Sequence, residues 1–307
     1  MLKYATKRLL MLIPVIIGIT FIIYVIMGLA PGDPVTLILG ADATIEQLAA
    51  LRAEMGLDKP ILVQYLTYIT RVFRGDLGVS WISGRDVLSE FLSRLPNTLL
   101  VSFLATTIAV GIGIPMGIIS AIRQYRLFDY SCMVVAMLLF SLPSFWLGIM
   151  CQILFCLVLN WLPAAGVGSW KHLVLPSLIL GANTLASMIR MSRTSMLDVI
   201  RQDFVRTARA KGASERKVIM HHALRNGLMP VVTQIGISFA GCIGGAVVTE
   251  TIFAIPGIGL LLTNAVKSRD IPIVMGVLIF ISAIVGIINL LVDLTCARID
   301  PRIDLAS

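Results

Sequence analysis

Apolar residues gather in six long runs, separated by polar stretches punctuated with Gly and Pro. A helix needs about 20 apolar residues to cross roughly 30 Å of hydrocarbon. The runs Leu9–Ala30, Thr98–Ile122, Ser131–Leu159, Leu173–Met191, Met229–Phe253 and Ile271–Leu294 therefore predict six membrane-spanning helices. The third is the longest and contains Pro143, which predicts a kink, a tilt or an extension past the membrane face. The fourth is interrupted by Asn183, Thr184 and Ser187. Lys3, Lys7 and Arg8 precede the first run, as they would in a signal peptide. The run exceeds a typical h-region, and Pro31-Gly-Asp-Pro34 stands where a small-residue cleavage site would follow. It reads as a retained span.

The long stretch between the first two runs has its own helical pattern. Thr44-x-x-Gln47 is a capping box, with Leu48, Leu51 and Met55 at helical spacing and a stop at Gly56. Pro60 can begin a second helix, with Leu62, Tyr65, Leu66 and Ile69 on one face and an end near Gly75. Such apolar faces need cover, so packing on the spans or on a partner is expected.

Composition agrees: 57% of the 307 residues are hydrophobic and 14% are charged, against about 25% charged in soluble domains. The net charge of +8 then reads as membrane topology in place of nucleic-acid binding. Sixteen of the 25 Lys and Arg residues fall on one face of a six-span layout: Lys3, Lys7, Arg8, Arg123, Arg126, nine between Arg190 and Arg225, Arg298 and Arg302. The opposite face has Lys171, Lys267 and Arg269 in short loops. Its others, Arg52, Lys59, Arg71, Arg74, Arg85 and Arg94, lie in one long loop, which the positive-inside rule largely ignores. Both termini and the basic segment are expected in the cytoplasm, and residues 31–97 outside.

The five cysteines, Cys132, Cys151, Cys156, Cys242 and Cys296, lie in or beside apolar runs without a CxxC pair, as small hydrophobes do. No Walker A loop, HExxH or GxSxG is present. His221 and His222 are neighbours and would point about 100° apart on a helix, which makes them poor joint metal ligands. No metal site and no cofactor on this chain are expected. Polar groups inside spans suggest either interhelical bonding or a wet path. Asn183, Thr184 and Ser187 share a turn; Gln234 and Ser238 are one turn apart; Glu250 and Asp293 lie near span ends. The path candidates are Asn183, Ser187, Gln234, Ser238 and Glu250. Gly113-x-x-x-Gly117 and Gly241-x-x-x-Gly245 permit close helix approach, within one subunit or at a seam.

The basic segment predicts a short helix from Phe204 to Lys211, a turn at Gly212, and a second helix from Ser214 back toward the membrane. Such a helix can seat in a groove on a soluble partner or lie on anionic lipid.

At these residues the chain resembles a known family. Arg206-Thr-Ala-Arg-Ala-Lys-Gly212 with His222-Ala-Leu-Arg-Asn-Gly-Leu-Met-Pro230 is similar to the cytoplasmic signature of ATP-binding-cassette importer permeases, in the dipeptide, oligopeptide and nickel branch. Pro31-Gly-Asp-Pro34, Gly75-Asp-Leu-Gly78, Thr249-Glu-Thr-Ile-Phe-Ala-Ile-Pro-Gly-Ile-Gly259, Asn289-Leu-Leu-Val-Asp293 and Asp300-Pro-Arg302 agree. The general motif's Glu-Ala-Ala is replaced by Arg206, Thr207 and Ala208, and its Leu-Pro by Leu224-Arg225, a variation common in the peptide branch.

The resemblance implies an all-α integral membrane protein of the type I importer permease kind: six transmembrane helices, an external helical loop and a cytoplasmic coupling helix. It implies residues 1–30 as the first span, 31–97 as the external loop, 98–298 as a five-helix core containing the coupling segment 192–228, and 299–307 as a cytoplasmic tail. Phe204, Val205, Arg206, Thr207, Ala208, Arg209, Ala210, Lys211, Gly212 and Ala213 would dock on a nucleotide-binding subunit. Two such subunits, holding ATP and Mg, a second permease and an extracytoplasmic binding protein would complete an importer for short peptides in the inner membrane. Nickel, a metal chelate or glutathione are alternative cargoes. An ion-driven secondary transporter would more often show carboxylates or paired broken spans deep in the membrane, and no catalytic pair within the spans suggests an intramembrane enzyme.

Overall fold

The computed structural model describes residues 2–40 and 42–299, which form helices joined by turns. In chain order these are α1 (Leu2–Leu29), α2 (Pro34–Leu39), α3 (Ile45–Glu54), α4 (Ile61–Phe73), α5 (Val87–Ile122), α6 (Leu127–Ser141), α7 (Ser144–Gln152), α8 (Lys171–Ile200), α9 (Asp203–Ala210), α10 (Glu215–Lys217), α11 (Leu224–Gly227), α12 (Met229–Ile252), α13 (Ile258–Lys267) and α14 (Ile271–Ile299). Wider π-helical turns extend α7 through Ile153–Val158 and join α10 to α11 through Val218–Ala223. The motif Asp300-Pro-Arg302 and the tail beyond residue 299 lie outside the described residues.

Five helices, α1, α5, α8, α12 and α14, are long and apolar enough to cross a membrane. The sixth span is broken: α6 and α7 meet at 100°. The break falls at Leu142-Pro143, where proline lacks the N–H that would continue the helix. Helix α5 starts at Val87, well before the apolar run at Thr98. Asp86 caps it, accepting from the Ser89 N–H at 2.9 Å, and its first turns bury Val87 and Phe91 among polar neighbours that dilute the hydrophobic signal.

The chain divides into two compact units. One comprises residues 2–97 and 256–287. Its core gathers Tyr24, Tyr65, Phe91, Ile258, Ile271 and Met275. The capping box is present: the Gln47 N–H donates to Thr44 Oγ1 at 3.3 Å, and the Thr44 N–H donates to Gln47 Oε1 at 2.9 Å. On α4 the apolar face differs from the expected one. Tyr65, Tyr68, Ile61 and Ile69 pack inward, while Leu62 and Leu66 are 57% and 54% exposed. Tyr65 satisfies its hydroxyl in the interior, at the Ile17 carbonyl (2.8 Å) and Thr20 (2.9 Å), whereas the Tyr68 hydroxyl is buried without a hydrogen-bond partner among the described residues. Arg269 donates to the carbonyls of Met27, Ala30 and Pro31 and so caps the end of α1 with positive charge. Buried Asp270 accepts from Ser80 Oγ at 2.5 Å and the Trp81 N–H at 3.1 Å, which pins the loop before α5.

The other unit comprises residues 98–255 with the chain from 288 onward. Here α5 and α8 lie backbone against backbone. A Cβ on Gly117 would meet the Ile189 carbonyl oxygen at 2.5 Å, and one on Gly181 would meet the Ala105 carbonyl oxygen at 2.7 Å. The first small-residue motif, Gly113 and Gly117, is thus packed within the chain. The second behaves differently: nothing lies within 4 Å of a Cβ on Gly241, and one on Gly245 would meet only Leu180 Cδ1, at an ordinary 3.8 Å. Asp129 ties three elements together. It accepts from Arg193 Nε at 2.6 Å and Nη2 at 2.8 Å, from the Tyr125 N–H at 3.0 Å, and from Ser120 Oγ.

Candidate functional site

Two features of the second unit could serve a moving membrane protein: a basic hairpin and a polar groove. The hairpin starts at Asp203, where α9 follows directly on the end of α8. After Lys211 the chain must reverse, and Gly212 does so at φ +80°, a region that penalises any side chain. The Gly212 and Ala213 N–H groups close on the Arg209 and Ala208 carbonyls at 2.9 and 3.2 Å. Ser214 then leads into α10. Arg209 bridges the turn, donating to Glu215 Oε1 at 2.7 Å and Oε2 at 3.1 Å. That guanidinium holds the Glu215 carboxyl below the usual carboxylate range.

The apolar side of α9 is already occupied. Val205 is fully buried among Met196, Val199, Val218, Ile219 and Ala223, with Ala208 and Ala213 half-buried beside it. Three of the ten predicted docking residues therefore face the chain's own core. Phe204, Arg206, Thr207, Arg209, Ala210, Lys211 and Gly212 remain exposed. The hairpin is a platform with a fixed back and a free, largely cationic front.

The groove lies between α8 and α12 and holds about 260 Å³. Asn183, Thr184 and Ser187 line one wall; Ser238, Gly241 and Gly245 line the other. Three of the five path candidates, Asn183, Ser187 and Ser238, are thus brought together. Gln234 donates to Ser238 Oγ at 3.3 Å from the adjoining turn and does not line the groove. Glu250 is elsewhere: fully buried, it accepts from the Thr98 hydroxyl at 2.5 Å. Ser144 and Thr249 also line the groove and were not anticipated. Ser144 had a signal in the sequence, a polar residue just past the proline that breaks the third span. Among the described residues, no three His, Cys, Asp or Glu side chains cluster as metal ligands would.

A bundle of this kind, with a broken span, a polar seam and a rigid basic hairpin continuing one span helix, defines a membrane permease. The chain belongs to the family of binding-protein-dependent transport system inner membrane components: the family model matches residues 113–305, and the model of its N-terminal region matches residues 1–102. It is an ATP-binding-cassette importer permease, a multi-pass protein of the inner membrane and a non-catalytic transport chain. Among curated proteins it is 41% identical over 303 residues to the glutathione transport system permease protein GsiC of Salmonella paratyphi A, covering 99% of both chains. The Escherichia coli K12 protein of the same name is 40% identical over the same length. Among solved structures, an inward-facing MetNI methionine ABC transporter aligns with a TM-score of 0.58 at 16% identity, over 68% of this chain and 96% of that one. A further amino acid ABC transporter, solved with histidines, gives 0.53 at 14% identity, over 70% and 95%.

Proposed function

We propose that this chain is one permease of an importer for short peptides, glutathione among them, with both termini and the α9 hairpin in the cytoplasm. The partners are a second permease, two ATPase subunits that hold ATP and Mg, and an extracytoplasmic binding protein. The front of the hairpin seats in the ATPase, with Phe204 as its apolar anchor and Arg206, Thr207 and Lys211 around it. Val205, Ala208 and Ala213 serve from behind, by fixing the platform to the span bundle. The groove between α8 and α12 is this chain's half of the cargo path. Asn183, Ser187 and Ser238 offer hydrogen bonds there, and Gly241 and Gly245 leave width. Gln234 adjoins the groove, and Glu250 acts as an internal brace.

The observation that carries this reading is that α9 is rigidly joined to α8 on its apolar side and free on its charged side. A force applied to the front then moves α8, which forms one wall of the groove. Glutathione moves ahead of nickel because the relatives that match this chain along its length carry that name. The test is reconstitution. Phe204→Asp with Lys211→Glu in the complete importer is expected to leave membrane insertion intact, while ATP-driven uptake falls at least about tenfold, the loss of one or two interface contacts. Uptake at the parent rate, or uptake by this chain alone driven by a proton or sodium gradient, would overturn the reading.

A further inference from the structure

Helix α8 carries a polar stripe longer than the groove. Asn183, Ser187, Arg190 and Thr194 are spaced by four, three and four residues, which places them within about 60° of one another around the helix. Asn183, Arg190 and Thr194 are exposed and Ser187 is half-buried. Most of the rest of α8 is covered: Ala182, Ala186, Met188, Ile189, Ser192 and Met196 are all buried, and Leu178 is exposed on the far side. A span helix that faces hydrocarbon does not present a continuous polar strip, which here runs through Arg190 and Thr194 to exposed Asp198. The stripe therefore continues the groove one to two turns further along α8.

The two arginines on this stretch have different fates. Arg193 is spent on buried Asp129. Arg190 has no carboxylate within ion-pair reach among the described residues. Its guanidinium lies 4.5 Å from the ring centroid of Phe140, itself 55% exposed. An aromatic face orients a guanidinium without neutralising it, so the five N–H donors stay available to a planar anion. Arg190 lies about 28 Å along the helix from Lys171, near the thickness of the hydrocarbon, roughly 30 Å. It stands at one mouth of the groove.

We propose that Arg190, held by Phe140, is a specificity-determining residue of the cargo path: a fixed cation that engages the carboxylate of a passing peptide at the cytoplasmic mouth. This rests on reading the α8–α12 groove as the path. Bidentate guanidinium–carboxylate pairing is strong and geometrically selective. Because the pair forms in a wet groove, it releases its partner instead of trapping it.

The test measures the charge preference of the groove directly, in the complete importer in neutral phosphatidylcholine vesicles, with the five native cysteines replaced. A cysteine introduced as Ser187→Cys, one turn from Arg190, is labelled with two thiol reagents of similar size: sulfonatoethyl methanethiosulfonate (anionic) and trimethylammonioethyl methanethiosulfonate (cationic). With Arg190 present the anionic reagent is expected to gain over the cationic one. Arg190→Gln should lower that ratio by about tenfold, roughly threefold on each reagent, as a unit charge one turn away does in a water-filled groove, and Arg190→Lys should retain most of it. Phe140→Leu should lower it part of the way, because the cation is then no longer aimed. An unchanged ratio in Arg190→Gln, with Ser187→Cys still labelled, overturns the proposal. A preference that appears only after anionic phosphatidylglycerol is added also overturns it, because Arg190 would then be a lipid anchor. If neither reagent reaches Ser187→Cys, the path reading itself fails.

Discussion

At the residue scale, the cost of each polar group inside the spans is set by what surrounds it. Asp129 is 2% exposed and fully engaged by Arg193, Ser120 and Tyr125. Arg193→Met would strand that carboxylate, and breaking one side of a buried pair costs about 3–5 kcal/mol. Arg193→Met is expected to lower the melting temperature of the purified chain markedly, and adding Asp129→Asn should recover much of the loss. A melting curve that ignores Arg193→Met would contradict the placement of this pair. Arg209 and Glu215 are at the other extreme, both well exposed. The Glu215 carboxyl is lowered in the folded chain, so its contribution is present above its ordinary value of 4.5 and disappears as pH falls through the lowered one. An exposed pair gives about 1 kcal/mol or less. Glu215→Gln should therefore destabilise the hairpin slightly at pH 7, and the difference from the parent should vanish in acid, as followed by hydrogen exchange of α9 and α10.

At the element scale, glycines separate packed helices from open ones. Gly117 admits no Cβ without displacing the α8 backbone, whereas Gly241 has nothing within 4 Å. Gly117→Val should destabilise the isolated chain by about 1–3 kcal/mol, the usual cost of overpacking. Gly241→Val should leave its melting unchanged and act only in the assembled importer. Equal effects at both positions would contradict the assignment of one seam as internal and the other as free. The sequence alone could not make this distinction, because both motifs have the same spacing and periodicity does not say what faces a helix. Other elements were legible for identifiable reasons. Six apolar runs, Pro143, Thr44 with Gln47, and Gly212 each encode a local backbone demand, and each appears as a span, a break, a cap or a turn. Half of the expected apolar face of α4 packs inward, Tyr65 and Ile69, while Leu62 and Leu66 stay exposed and Ile61 and Tyr68 take the interior, because periodicity fixes the face only to within a neighbouring row of residues. Glu250 looked like a path residue because its distance along the helix places it in a span, while its burial beside Thr98 depends on a chain segment 152 residues away. Arg190 was read as a topology signal, and only its exposure over Phe140, on the same face as Asn183 and Ser187, gives it another role.

At the scale of the whole molecule, the second unit reads as a lever. A charged hairpin is clamped by Val205 to the end of α8, α8 is locked to α5 by Gly113, Gly117 and Gly181, and the polar groove lies on the opposite side of α8. Motion imposed on the hairpin is expected to be taken up at the α8–α12 groove, where a Cβ on Gly241 would have nothing within 4 Å, and resisted at the α5–α8 contact, where Gly117 and Gly181 meet backbone. The claim that everything else depends on is that the front of α9 meets the ATPase. The direct measurement is photo-crosslinking in the purified, complete importer, with the reactive group placed in turn at Arg206 and at Val205. The account predicts a product with the ATPase chain from Arg206 and only intramolecular product from buried Val205. A product from Val205, or none with the ATPase from Arg206, would contradict it.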